Sequence, residues 1–239
     1  MSKYIALIPA YEPDTLMLEL LPRVVEAGFD AVVVDDGSGD PFAKLFEAAK
    51  DYAKVISYTP NMGKGYAMKK GFEYIKESYS DDCVVVTVDA DGQHRVEDAL
   101  RLCRRVEERP EALIIGARKF TGDVPRRSRF GNDVTRCVYK VFSGVSLYDT
   151  QTGLRAFSVG QIPTMLSITG NRYEYEMRVL LELAYRNIPM EEIEIPTIYI
   201  DNNSASHFKP MKDSFRIYKE IFTFAATHRK KNKGACPSK

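Results

Sequence analysis

A chain of 239 residues with 44% hydrophobic content is sized for one substantial globular domain with a real core. Its 34 basic and 33 acidic side chains leave a net charge of +1, which gives no reason to expect a nucleic-acid partner. No stretch approaches the roughly 18 apolar residues that a membrane-spanning helix needs, and Cys83, Cys103, Cys137 and Cys236 lack the CxxC spacing of a zinc site, so they read as reduced thiols of a cytoplasmic protein.

The N-terminus runs directly into a strand near 4–8, too short for the hydrophobic region of a signal peptide. A helix near 14–27, a strand near 31–34, a helix near 41–51 and a strand near 55–58 follow. Next come a helix near 64–78, a strand at 83–88, a helix near 96–108 and a strand near 112–116. This βαβ succession predicts an α/β fold with a mostly parallel sheet. After Gly116 a basic segment (Arg118, Lys119, Arg126, Arg127, Arg129) leads into a helix near 128–143, a strand near 154–158, a helix near 172–187 and a strand near 192–199. The polar stretch 201–207 reads as a mobile loop. A last helix near 211–228 carries Phe215, Ile217, Tyr218, Ile221, Phe222, Phe224 and Ala225 on a broad apolar face and ends in a basic tail. These boundaries predict one domain over 1–228, divided near 117/118 into two halves, with a flexible tail over 229–239.

Chemistry concentrates where apolar strands end. Val84-Val85-Val86-Thr87-Val88 runs into Asp89-Ala90-Asp91-Gly92-Gln93-His94, two carboxylates at i, i+2 followed by a carboxamide. A continuous β-branched run reads as a strand buried on both faces, and ligands in open α/β sheets collect at such carboxyl ends. Adjacent carboxylates repel, and a divalent cation bridging to substrate phosphates resolves that repulsion. A solvated turn is the bland alternative. Val32-Val33-Val34 ends likewise in Asp35-Asp36-Gly37-Ser38, on an expected neighbouring strand, either as a helix-capping turn or as a carboxylate site for base and ribose. Asn61-Met62-Gly63-Lys64-Gly65 precedes a helix, where glycines admit close approach and the helix N-terminus favours anions. It has neither GxxxxGK[ST] nor GxGxxG spacing, since Met68 stands at the last position. A phosphatase reading of the DxDG run lacks its threonine, because Gln93 stands there, and lacks its place near the start of the chain.

Taken with Ile8-Pro9-Ala10-Tyr11 and Asp149-Thr150-Gln151-Thr152-Gly153-Leu154-Arg155, these motifs in this order resemble the family-2 glycosyltransferases of the GT-A fold. Within that family the chain is most similar to the polyprenyl (dolichyl) phosphate mannose and glucose synthases. Ser206-His207-Phe208-Lys209-Pro210 looks like bacterial members whose chain continues into a GtrA-type membrane domain. The resemblance implies a Rossmann-like sheet flanked by helices, with a nucleotide-sugar half followed by an acceptor half. It implies that Pro9, Ala10 and Tyr11 line base and ribose, with Asp35 or Asp36 hydrogen-bonding to them. Lys64 and Ala90 would lie near the nucleotide, Asp89 at ribose and diphosphate, and Asp91 with Asp89 and Gln93 around Mg2+ or Mn2+. Arg118 would face the sugar or acceptor phosphate, and Glu174 falls near the general base of members acting on hydroxyls. The usual Pro-x-Tyr-Asn-Glu opening is here Pro9-Ala10-Tyr11-Glu12-Pro13, so Glu12 carries the carboxylate shifted by one residue.

The expected activity is inverting, metal-dependent transfer of a hexose from a UDP- or GDP-sugar to a polyprenyl phosphate. A lipid phosphate is already ionised and needs cations, for which Arg118, Arg126, Arg127, Arg129 and Lys209 are candidates, against the alternative of a solvated basic loop. A hydroxyl acceptor in a cell-surface glycan would require Glu174 or Glu176 as base. A nucleotide-sugar binding module without turnover is the reading from another class. The loop 202–208 would serve as a lid. The basic tail suggests peripheral contact with an anionic membrane surface or with a separate GtrA-like membrane partner, as against a soluble frayed end.

Overall fold

The computed structural model describes residues 2–118, 126–198, 218–219, 221–224 and 227, with side chains left out over 126–134. Seven strands form one sheet in the order β3-β2-β1-β4-β6-β5-β7. They are β1 (Tyr4–Ala10), β2 (Phe29–Asp35), β3 (Ala53–Ser57), β4 (Val84–Thr87), β5 (Leu113–Arg118), β6 (Arg155–Ser158) and β7 (Met190–Ile195). The helices are α1 (Leu16–Glu26), α2 (Ala43–Ala49), α3 (Lys64–Ser78), α4 (Val96–Glu108), α5 (Arg126–Ser143), α6 (Ile162–Ser167) and α7 (Glu174–Tyr185).

The apolar runs are unbroken because both faces of the sheet are covered. Along β1 and its neighbours, Ile5, Leu7, Val32, Val34 and Val85 share one core with Met68, Phe72 and Ile75 of α3 and with Tyr175 and Leu180 of α7. The intervening residues Ala6, Ile8, Val33, Val84 and Val86 turn to the other face and join Leu20, Leu21 and Val24 of α1 and Leu102 and Val106 of α4. The twofold alternation of a strand thus distributes one hydrophobic run between two cores.

The sheet is mostly parallel, as the βαβ succession predicts, with β6 inserted antiparallel between β4 and β5. Two expectations are corrected. β2 and β4 are not neighbours, because β1 pairs with both and lies between them. Helix α6 was not foreseen, since six residues beginning Ile-Pro carry too little periodicity to register. Most of the expected last helix, the lid at 202–208 and the tail at 229–239 lie outside the described residues; 218–219, 221–224 and 227 are helical, and no described helix is long and apolar enough to cross a membrane.

Helix α3 reaches the sheet through Gly71, where an added Cβ would stand 2.2 Å from Leu7 Cδ1. Leu7 is itself fully buried and has nowhere to move. Gly71→Ala is therefore expected to destabilise by about 1–3 kcal/mol through overpacking, despite alanine's higher helix propensity. The check is a lower urea midpoint at unchanged slope; an unchanged or raised midpoint would refute the tight seat of α3 on β1.

Candidate active site

Between β1 and β4 the strand order reverses direction, and a crevice outside the carboxyl ends is expected at that point. Three acidic or polar strand ends converge there. Pro9 and Ala10 close β1 opposite Val34 and Asp35 of β2. The Ala10 carbonyl accepts the Asp36 N–H at 2.8 Å, and the Glu12 N–H donates to Ser38 Oγ at 2.8 Å. Glu12 adopts a φ of 45°, and a hydrogen bond to Glu12, then burial, raise the Tyr11 phenol above its ordinary pKa. Pro9 through Glu12 therefore stand beside the Asp35–Ser38 turn, on the nucleotide side that the motifs suggest.

The two aspartates of that turn do different work. Asp36 is buried and accepts from Tyr58 Oη at 2.8 Å, Asn61 Nδ2 at 2.9 Å, and the N–H groups of Met62 and Gly63 at 2.8 Å each. Burial and the Asp36 carboxylate push the Tyr58 phenol well above its usual value. Four donors make Asp36 the organiser of the Asn61–Gly63 loop. Asp35 accepts the Ser38 N–H at 2.9 Å and is the member of the pair left for a ligand. Gly63 sits at φ 103°, where an added Cβ would lie 2.6 Å from the Asn171 carbonyl oxygen. Only glycine meets both conditions, so this loop is closed against the segment before α7.

Lys64, the first residue of α3, does not project as a free point charge. Its ammonium lies 2.8 Å from Asp89 Oδ1 and 2.9 Å from Glu176 Oε2. Burial opposes this charge, but Asp89 and Glu176 outweigh burial and hold the lysine pKa above its ordinary value. Asp89 is fixed from three sides. Besides Lys64, His94 Nε2 stands 3.3 Å from its Oδ2, and Gly153 packs so closely that an added Cβ would be 2.3 Å from Oδ2. Burial would raise the Asp89 pKa, yet Lys64 and His94 hold it far below the usual carboxylate range. Ala90 follows, half-buried, at the turn into the second acid.

Asp91 is the less compensated of the two acids. Its Oδ1 accepts the Gln93 N–H at 3.0 Å, while burial and then the Asp89 charge raise its pKa. Among the described residues no group of three His, Cys, Asp or Glu side chains forms a self-sufficient cation cage. Hard cations such as magnesium commonly use one or two carboxylates and complete their shell with waters and substrate phosphates. An under-compensated Asp91 beside Asp89, with the Gln93 carboxamide next in sequence, fits that donor set.

On the acceptor side, Arg118 ends β5 and forks onto the fully buried Asp149, with Nε 2.6 Å from Oδ2 and Nη2 3.1 Å from Oδ1. Its expected exposure to sugar or phosphate is thus tempered by a structural pair. Arg126, Arg127 and Arg129 belong to α5, their side chains outside the described residues, as is Lys209. Glu174 opens α7, where its Oε1 accepts the N–H groups of Asn171 at 3.2 Å and Arg172 at 3.1 Å. Its Oε2 is buried and has no hydrogen-bond partner among the described residues. Sequence reasoning assigned no role to His94, Asp149 or Arg155, although all three lie within or beside the quoted motifs. Arg155 braces the site by donating to the Glu176 carbonyl at 2.8 Å and the Thr152 carbonyl at 3.1 Å.

The sequence pattern of the family described as "Glycosyl transferase family 2" matches residues 5–159. Among characterised relatives, the UDP-N-acetylglucosamine–dolichyl-phosphate N-acetylglucosaminyltransferase of Methanococcus voltae is 26% identical over 220 residues, covering 83% of this chain and 87% of the relative. The dolichyl-phosphate beta-glucosyltransferase of Dictyostelium discoideum is 24% identical over 247 residues, covering 90% and 71% respectively. In fold, the chain is similar to glucosyl-3-phosphoglycerate synthase from Mycobacterium tuberculosis, crystallised with Mn2+, UDP and glucosyl-3-phosphoglycerate, at a TM-score of 0.70 and 13% identity over 94% of this chain and 80% of that one. The fold is GT-A. With a match spanning more than half its length and running from β1 past β6, this chain belongs to family 2 of the glycosyltransferases.

Proposed function

We propose that this glycosyltransferase moves a hexose from a UDP- or GDP-linked donor to a polyprenyl phosphate, inverting the anomeric centre, with a divalent cation at the donor diphosphate. The observation that carries this reading is the acid pair at the mouth of β4, in which Lys64 and His94 compensate Asp89 while Asp91 stays under-compensated. Relatives whose names place them on dolichyl phosphate support the acceptor class.

Asp91, with Asp89 and the Gln93 carboxamide, would hold Mg2+ or Mn2+, which when bound offsets the charge gathering on the departing diphosphate. Pro9, Ala10, Tyr11 and Asp35 supply the nucleotide side of the crevice. Asp149 keeps the Arg118 guanidinium in one orientation at the end of β5. A lipid phosphate is ionised at neutral pH and attacks without a base, while Arg118, Arg126, Arg127, Arg129 and Lys209 are the cations available to hold it. Peripheral attachment of the basic tail to an anionic bilayer, at roughly 1 kcal/mol per nearby Lys or Arg, would bring the enzyme to that acceptor, alone or with a GtrA-like membrane partner.

Asp91→Asn removes a charge at nearly constant shape. Mn2+-dependent binding of UDP or GDP is expected to weaken about 100-fold, measured by calorimetry with and without the metal; equal affinity in the variant would remove Asp91 from the cation site. The second reading, transfer to a hydroxyl, is favoured by the buried, partnerless Oε2 of Glu174. Glu174→Gln retains an oxygen for the Asn171 and Arg172 N–H groups, so it separates the two chemistries. Transfer to polyprenyl phosphate should persist, whereas transfer to a hydroxyl should fall by about 100-fold or more. Product assays with both acceptor types decide between them, and loss of lipid-phosphate transfer would give Glu174 a direct role in that reaction.

A further inference from the structure

Glu176 entered the sequence reading only as an alternative base for a hydroxyl acceptor. Its geometry argues otherwise. The Oε2 atom lies 2.9 Å from the Lys64 ammonium, and that ammonium lies 2.8 Å from Asp89 Oδ1. The Lys64 ammonium thus engages that oxygen in a charge-assisted contact. The side chains of Lys64 and Glu176 are only 18% and 12% exposed, so solvent screens their attraction weakly. The arrangement is also rigid. Arg155 holds the Glu176 carbonyl at 2.8 Å, and the Tyr66 N–H in the first turn of α3 donates to the Asn171 carbonyl at 2.9 Å.

Charge balance supplies the rest. Around Lys64 stand Asp89 and Glu176, with Asp91 adjoining, so one cation faces three carboxylates. Carboxylate thus outnumbers ammonium at this point of the crevice. Were Glu176 absent, the whole attraction of Lys64 would fall on Asp89 and compete with a cation for the same oxygens. We propose that Glu176 is a positioning residue that sets the cation affinity of the donor site, by drawing the Lys64 ammonium off Asp89 and by adding a carboxylate beside it. This rests on the reading of the crevice as a cation–diphosphate site.

The test is Glu176→Gln, which preserves length and keeps an amide oxygen for Lys64. Mn2+ bound at saturating UDP, and separately at saturating GDP, is read from the free-ion electron paramagnetic resonance signal. Removing one nearby charge is expected to raise the Mn2+ dissociation constant about tenfold, while the melting temperature without ligand stays within a few degrees of the parent. Glu176→Asp keeps the charge but withdraws the oxygen from Lys64, and a smaller rise in the same direction is expected; it carries the test alone if the glutamine variant does not fold. Parent-like Mn2+ affinity in the folded variants would overturn the proposal and leave the donor reading standing. If the parent itself retains no Mn2+ with either nucleotide, the donor reading falls and the proposal with it.

Discussion

One ammonium shared by two carboxylates joins the three parts of this site. Lys64 begins α3, Asp89 follows β4 and Glu176 lies in the first turn of α7, so the contact spans both the sheet and the helices on one of its faces. Burying such charges costs desolvation, and a buried ion pair is by itself a weak source of stability. What the arrangement provides is placement. Without Lys64 both part-buried acids would be less compensated, which costs more than the pair. The helices and strand are therefore held to the one geometry in which all three meet.

A second buried pair in the same molecule makes a useful contrast. Arg118 saturates Asp149 with two side-chain bonds, and the Arg118 N–H adds a third contact at 3.2 Å. The neighbouring Glu192 likewise takes the N–H groups of Tyr148 at 2.8 Å and Asp149 at 2.9 Å. Arg118 and Asp149 match one charge to one, Glu192 is taken up by backbone N–H groups, and together they build the loop leading to β6. The cluster around Lys64 is mismatched by construction, with more carboxylate than cation. A structural ion pair cancels its own field, whereas a binding site retains some for a ligand.

Legibility in the sequence followed the range of the interactions. Helix α3 lies at 64–78 and α4 at 96–108, as periodicity placed them, because glycine, proline and apolar spacing are local signals. Strand ends and their acids were legible for the same reason. Three features were not. The antiparallel insertion of β6 depends on pairing Arg155 with Thr87 across a long stretch of chain, which no local pattern encodes. The structural load on Asp36 was hidden because its donors come from Tyr58, Asn61, Met62 and Gly63, beyond the motif that contains it. The ion pair of Arg118 was hidden because its partner Asp149 lies 31 residues away. A charged residue in a motif announces that it is needed, but its partner decides whether it serves the fold or the ligand.

The family match stops at residue 159, yet the site does not. Gly63 packs on the Asn171 carbonyl, Arg172 Nη1 lies 3.3 Å from Asn61 Oδ1, and Lys69 Nζ holds the Gly170 carbonyl at 2.7 Å. The loop that Asp36 organises on the nucleotide side is thereby fastened to the first turn of α7, which carries Glu174 and Glu176. The loop after β3 and the segment before α7 thus share one seam. A substitution in 170–176 should be felt at Asp36 and Lys64 as well as at Glu174, because the same contacts fix them. The later segment, outside the matched stretch, belongs to this cluster in a physical sense: it supplies the carboxylate that shares Lys64 with Asp89.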